Sequence, residues 1–223
     1  MEQGDYFENH ALGIRWPFSI YHDAIARRTL SLLGNPLQNA RCLNVGCGFF
    51  HAYPQWKHLG RWEACDVEPR CLEVVSRRYP EVVVSQCGDF PDYPPASFDV
   101  IVSTEVIEHI LDPLPWLRHV MGLLREGGVA VFSTPNYGFS ALPLVEYTLL
   151  QGIALWKGFS RFSIHPNKYN SKKLRRHLEK ASPSGALVTV EKCAFSMALV
   201  GAVRRTPWSS TRRFPAPPVP AGG

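Results

Sequence analysis

Paired cysteines are missing from this sequence: it has six, Cys42, Cys47, Cys65, Cys71, Cys87 and Cys193, and no two stand in CxxC spacing. Several lie inside apolar runs. That argues against a zinc site or a disulfide framework and fits a reducing compartment. No uncharged apolar run reaches the roughly 20 residues of a membrane-spanning helix. The opening MEQGDYFENH is polar and acidic, unlike a secretory signal. Together these absences predict a cytoplasmic location. There is no internal repeat, and no basic groove rich in aromatics that would stack single-stranded bases. Strong charge is missing too. The net charge of +5 could help attract an anionic substrate, a membrane surface or nucleic acid, and it says nothing about fold. What remains, 45% hydrophobic and 19% charged over 223 residues, reads as one globular domain with a tail.

Along the chain, apolar positions at helical spacing mark 20–33, and GNP closes that helix. Short apolar runs then alternate with helical patterns. Strands are predicted at RCLNV, at 62–65, 82–85, 98–103 and 129–133, with helices at 69–78 and 115–124, the second stopped by Gly127 and Gly128. Alternation of this kind implies right-handed crossovers and a mostly parallel α/β sheet. After Asn136 the pattern breaks. A basic amphipathic helix is expected over 171–181, and 188–191 with 195–203 form a closing strand pair. The organisation predicted is an N-terminal helical arm (1–39), a main domain (40–203) with an insertion at about 137–170, and a disordered tail rich in Pro and Arg (204–223).

Three strand tips suggest a ligand site. RCLNV runs into Gly46-Cys47-Gly48, where absent Cβ atoms let a ligand approach the backbone. The second strand ends in Asp66, whose carboxylate could accept from two ribose hydroxyls. The third precedes Gly88-Asp89-Phe90, an acid for an adenine amino group beside a ring for the base. Ligands of open α/β sheets bind at such carboxyl ends. Alone, Asp66 could be a turn acid and Asp89 a helix N-cap. The nicotinamide fingerprint GxGxxG is incomplete, since position 51 is His51. After the fourth strand comes EVIEHI. Were it helical, Glu105, Glu108 and His109 would share one face. They could hold a divalent cation such as Mg2+, which would activate a substrate hydroxyl, or His109 could act as general base. Glu108 could equally face solvent and His109 fill the core.

The ordered set LNVGCG, ACDVEP, GDFPDYPPASFDVIVSTEVIEHI and LLREGGVAVFSTPN resembles class I S-adenosylmethionine-dependent methyltransferases over about residues 40–136. The resemblance implies a Rossmann-like fold: a seven-stranded, mostly parallel sheet with helices on both faces and the last strand antiparallel. It implies that S-adenosylmethionine is bound by Asn44, Gly46, Cys47, Gly48, Asp66, Val67, Asp89, Phe90, Thr104 and Glu105. Two positions depart from the family pattern: Asn44 replaces a frequent acid, and Phe50 a frequent third glycine.

Within the superfamily, EVIEH, STPN and the apolar stretch after them look most like ubiquinone-biosynthesis O-methyltransferases. That implies a metal on Glu105, Glu108 and His109, catalysis by His109 and Glu108, and O-methylation of a small-molecule hydroxyl. Leu142, Val145, Leu149, Ile153 and Trp156 would then form a lid or a peripheral membrane contact. Tyr6, Trp16 and Tyr21 are candidates to line the acceptor pocket. RNA 3′-terminal 2′-O-methyltransferases share EVIEH and STPN and add a downstream histidine ligand, here His165, while Lys172, Lys173, Arg175 and Arg176 could meet phosphates. That RNA reading and a degenerate cofactor-binding module are the alternatives, and the oligomeric state stays open.

Overall fold

A computed structural model describes residues 18–34, 39–138, 140 and 165–205. The predicted contributions of Tyr6, Trp16, the 142–156 apolar face and residues 206–223 of the tail lie outside those residues, whereas Arg204, expected to begin the disordered tail, is instead held as the last residue of a strand by pairing with Val129 and Leu187. The elements are α1 (Phe18–Leu33), β1 (Ala40–Val45), α2 (Tyr53–Trp56), β2 (Gly60–Asp66), α3 (Pro69–Arg78) and β3 (Val83–Gln86). They continue with β4 (Phe98–Thr104), α4 (Pro113–Gly122), β5 (Leu124–Pro135), α5 (Ser171–Ala181), β6 (Leu187–Cys193) and β7 (Ala198–Arg204).

The strands form one seven-stranded sheet in the order β3-β2-β1-β4-β5-β7-β6. β1 to β5 run parallel to one another, and β7 runs antiparallel to both β5 and β6. The predicted mostly parallel sheet is therefore present. Alternation along each central strand feeds two cores. Cys42, Val100, Val102 and Val131 face the layer with α1, α2 and α3. Leu43, Ile101, Ala130 and Phe132 face the layer with α4 and α5. Central strands covered on both faces need near-continuous apolar runs, and FDVIVS and VAVFS supply them.

Gly127-Gly128 does not end a helix. α4 stops at Gly122, and β5 begins at Leu124 and runs through both glycines. Pairing jumps from Phe98↔Leu124 to Val100↔Val129, so residues 125–128 bulge out of the ladder. A Cβ on Gly128 would press on the Asp99 and Arg125 carbonyl oxygens at 2.9 and 3.0 Å. These glycines serve a strand irregularity rather than a helix cap. Among the described residues, no helix is long and apolar enough to cross a membrane.

Candidate active site

The tip of β1 folds back over β2. Gly46 and Gly48 take φ of +68° and +49°, and the N–H groups of Gly46 and Cys47 both donate to the Cys65 carbonyl, at 2.9 and 3.1 Å. Left-handed backbone is cheap for glycine because it has no Cβ. Phe50 also sits at φ +46°, which explains why a glycine would suit that position. Here the phenylalanine packs under the loop, its ring centroid 5.2 to 6.1 Å from those of Tyr53, Trp56 and Trp62. Asn44 is 2% exposed, and its Oδ1 has no hydrogen-bond partner among the described residues. An orphaned buried acceptor in the floor of this loop suits a ligand that brings a donor.

Asp66, expected to stand open to ribose hydroxyls, is instead 0% exposed. Its Oδ2 accepts the Gly48 N–H at 2.7 Å and its Oδ1 the Glu68 N–H at 3.0 Å. The carboxylate thus braces the glycine loop against the start of α3. Glu68 in turn caps α3 through the Arg70 N–H at 3.1 Å. Beyond it the surface is open: Val67 is 49% exposed and Phe90 50%, Asp89 is exposed, and Gly88 has nothing within 4 Å of a notional Cβ. Phe90 stands edge-on to His119, with ring centroids 5.3 Å apart. His119 is held by the Pro91 carbonyl at 2.7 Å. The tips of β1, β2 and β3 therefore offer a glycine cradle, a polar floor and an exposed ring in one row.

At the tip of β4 the chain departs from expectation. Thr104 ends the strand, and Glu105 then adopts φ +58°, which costs a non-glycine residue about 1–2 kcal/mol. Residues 107–109 form a turn, with His109 N–H donating to the Val106 carbonyl at 2.9 Å, rather than a helix. The shared helical face of Glu105, Glu108 and His109 therefore does not exist. Glu105 turns toward β5 and α1. Its Oε1 accepts from Ser133 Oγ at 2.8 Å and its Oε2 from Tyr21 Oη at 2.9 Å. Burial pushes the Glu105 carboxyl up to about 7, against the two hydroxyl donors that hold it down. Burial and then the neighbouring Glu105 push Tyr21 and Glu108 well above their usual ranges.

Among the described residues, the metal-type group is Glu108, His109 and His165, with one ligand atom from each within 4.8 Å of the others. His165 replaces Glu105 as the third member. Glu108 is 1% exposed, and its Oε2 has no hydrogen-bond partner among the described residues. A buried carboxylate oxygen without a donor is costly unless a cation or a proton meets it. The three residues therefore fit a cation. One carboxylate and two imidazoles suit iron(II), manganese or zinc. Magnesium, which prefers oxygen ligands throughout, fits this set poorly.

Three residues that sequence reasoning passed over hold this region in place, two at the metal-type group and one at Glu105. Tyr137 Oη bonds His165 Nδ1 at 2.5 Å. Asn167 N–H donates to the Glu108 carbonyl at 3.0 Å, and its Nδ2 to the Ile110 carbonyl at 2.7 Å. Ser133 fixes Glu105. The signal available for Ser133 was a polar residue at the carboxyl end of an otherwise apolar strand.

A family model described as a methyltransferase domain matches residues 19–182. A ubiquinone biosynthesis O-methyltransferase of Xanthomonas campestris is 33% identical over 107 residues, 45% of this chain and 45% of that protein. The aligned part spans less than half of the curated relatives it matches. Two solved structures share the fold. The Haloferax volcanii complex of the Trm112 methyltransferase activator with a methyltransferase has a TM-score of 0.62 at 16% identity, covering 83% of this chain and 92% of that one. Haemonchus contortus phosphoethanolamine N-methyltransferase 2 has 0.59 at 19%, covering 75% and 38%. One of these names specifies oxygen and another nitrogen, so likeness alone leaves the acceptor atom open. With the sheet order, the glycine loop and a family match over most of its length, the chain belongs to the methyltransferase-domain family.

Proposed function

We propose that this methyltransferase transfers a methyl group to a hydroxyl oxygen of a small organic acceptor, held at a metal site made by Glu108, His109 and His165. The observation that carries the reading is the unpartnered, buried Glu108 Oε2 beside two imidazoles from separate segments. A divalent cation there would supply Lewis acidity, lowering the pKa of a bound hydroxyl. Tyr137 Oη bonds His165 Nδ1 and fixes the ring, as supporting hydrogen bonds do for metal-bound histidines.

On the cofactor side, the loop Gly46-Cys47-Gly48 and Asn44 Oδ1 receive the methionine end. Val67, Asp89 and Phe90 take the adenosine. Asp66 acts chiefly by fixing the loop backbone, while Thr104 and Glu105 close the site at the tip of β4. The oxygen–methyl bond forms as the sulfur–methyl bond breaks, its electron pair passing to sulfur, and the acceptor proton leaves. The sulfonium is already activated, so placing the two reactants in line supplies much of the rate.

The test is turnover of a catechol panel by purified protein, in chelator and with Mn2+, Zn2+ or Mg2+ restored. The expected result is a methyl ether whose formation stops in chelator and returns best with a transition metal. Full turnover in chelator would remove the metal, and an N- or C-methyl product would remove the hydroxyl acceptor.

A ribose hydroxyl at an RNA end is the second reading. His165 in the metal-type group favours it, because the RNA-type resemblance adds a histidine at that place. Salt-sensitive methylation of short RNA, with catechols untouched, would select it.

A further inference from the structure

On α5, Arg175 pairs with Glu179, and Lys173 is a cation of a different kind. Lys173 is half-buried and takes part in no ion pair among the described residues. Its Nζ donates to Asn167 Oδ1 at 3.1 Å and to the Lys168 carbonyl at 3.2 Å, and lies 4.8 Å from the Tyr169 ring centroid. All of these partners are neutral, so the ammonium charge itself is met by no anion among the described residues. Burial holds the Lys173 pKa below its ordinary value. His177 is likewise held down, first by burial and then by Lys173, Arg176 and Lys180. The residues that lower His177 are thus all cationic, and the α5 carboxylate of Glu179 pairs with Arg175 rather than with Lys173.

This charge adjoins the proposed metal group. Asn167, which accepts from Lys173, donates its backbone N–H to Glu108 at 3.0 Å. Lys168 Nζ lies 5.6 Å from the centroid of Tyr137, the residue whose hydroxyl bonds His165. Each of these two lysines is thus one residue removed from a member of the group. Lys173, partly desolvated and in no ion pair among the described residues, carries a cost that an incoming anion would offset.

We infer that the acceptor carries a carboxylate or phosphate-type group apart from its reacting hydroxyl, and that Lys173, with Lys168 beside it, receives that group. The inference rests on the small hydroxyl acceptor proposed above and adds its charge. Lys173 is a specificity-determining residue on this account. It selects among acceptors and takes no part in moving the methyl group.

The experiment is calorimetric binding to the full chain loaded with Mn2+ and S-adenosylhomocysteine. The probes are catechol, 3,4-dihydroxybenzoate and the corresponding phosphonate, at two salt concentrations. We expect one of the anionic probes to bind about tenfold or more tightly than catechol, as one hydrogen bond between charged groups supports. Which one it is distinguishes carboxylate from phosphate. The preference should collapse toward one in Lys173→Met and survive in Lys173→Arg. A variant that merely loosened the segment would not be rescued by charge alone. Equal binding of all three probes, no binding of either anion, or a preference that persists in the Lys168→Met/Lys173→Met double variant would overturn it. His165→Ala separates the two readings. If it leaves every affinity unchanged while the anion preference stands, the metal reading fails and this one holds.

Discussion

The Asp66 carboxylate accepts the Gly48 backbone N–H at 2.7 Å from a position with no solvent exposure. The last residue of β2 therefore sets the shape of the loop that leaves β1. Removing it strands the buried N–H groups of Gly48 and Glu68, at a cost of about 1–3 kcal/mol each. Asp66→Ala is expected to weaken S-adenosylhomocysteine binding at least about tenfold and to lower the melting temperature. Calorimetry and a thermal melt on one sample check both. Tight binding by a destabilised protein would separate the brace from the cofactor site.

Glu105 gives a pH signature. Its carboxyl is raised to about 7 by burial, while in the unfolded chain it titrates near 4.5. Protons therefore stay on the folded form longer than on the unfolded one. The contribution is full below about 4.5, is lost as pH rises toward 7, and is flat above that. In urea melts of metal-free protein, Glu105→Gln should reduce the fall in stability across that window. Tyr21→Phe removes a donor to the ionised form, so the Glu105 pKa should climb further, as carboxyl NMR shifts would report. An unchanged slope in Glu105→Gln would show that another group carries the effect.

Tyr137 supports the metal-type group from outside. Tyr137→Phe removes the hydrogen bond to His165 Nδ1 while keeping the ring. Losses of such supporting bonds typically weaken metal binding by about 10–100-fold. Competition against a metal-sensitive dye should show that loss for Mn2+ or Zn2+, with cofactor affinity largely retained. Equal metal affinity in the variant would place the cation elsewhere.

Phe50 sets two effects against each other. Phe50→Gly relieves a left-handed backbone worth about 1–2 kcal/mol. It also empties a fully buried aromatic site among Tyr53, Trp56 and Trp62, at about 3–5 kcal/mol. The cavity wins, so a net loss of about 2 kcal/mol is expected in chemical denaturation. A stabilised variant would mean that strain dominates. Gly46→Ala should destabilise for a simpler reason: its Cβ would overlap the Val106 side chain, and its φ is +68°.

The sequence alone determined where the parallel strands lie and which residues stand at their tips, because both are local. Short near-continuous apolar runs bounded by turn signals mark strands buried on both faces, and glycines or acids at their ends mark strand tips whatever packs around them. Asn44, Gly46, Gly48, Asp66, Asp89 and Phe90 were therefore legible one segment at a time. The helix over 171–181 forms as Ser171–Ala181 for the same reason. What only the tertiary structure decided is how the residues of EVIEHI pair. Helical spacing put Glu105, Glu108 and His109 on one face, but one left-handed residue at Glu105 breaks that geometry. Glu105 goes to Ser133, 28 positions away, and to Tyr21, 84 away. Glu108 and His109 meet His165 across the gap between β4 and the segment before α5. Contacts of that range follow from how loops fold over strand tips, where no repeat in the sequence fixes the register.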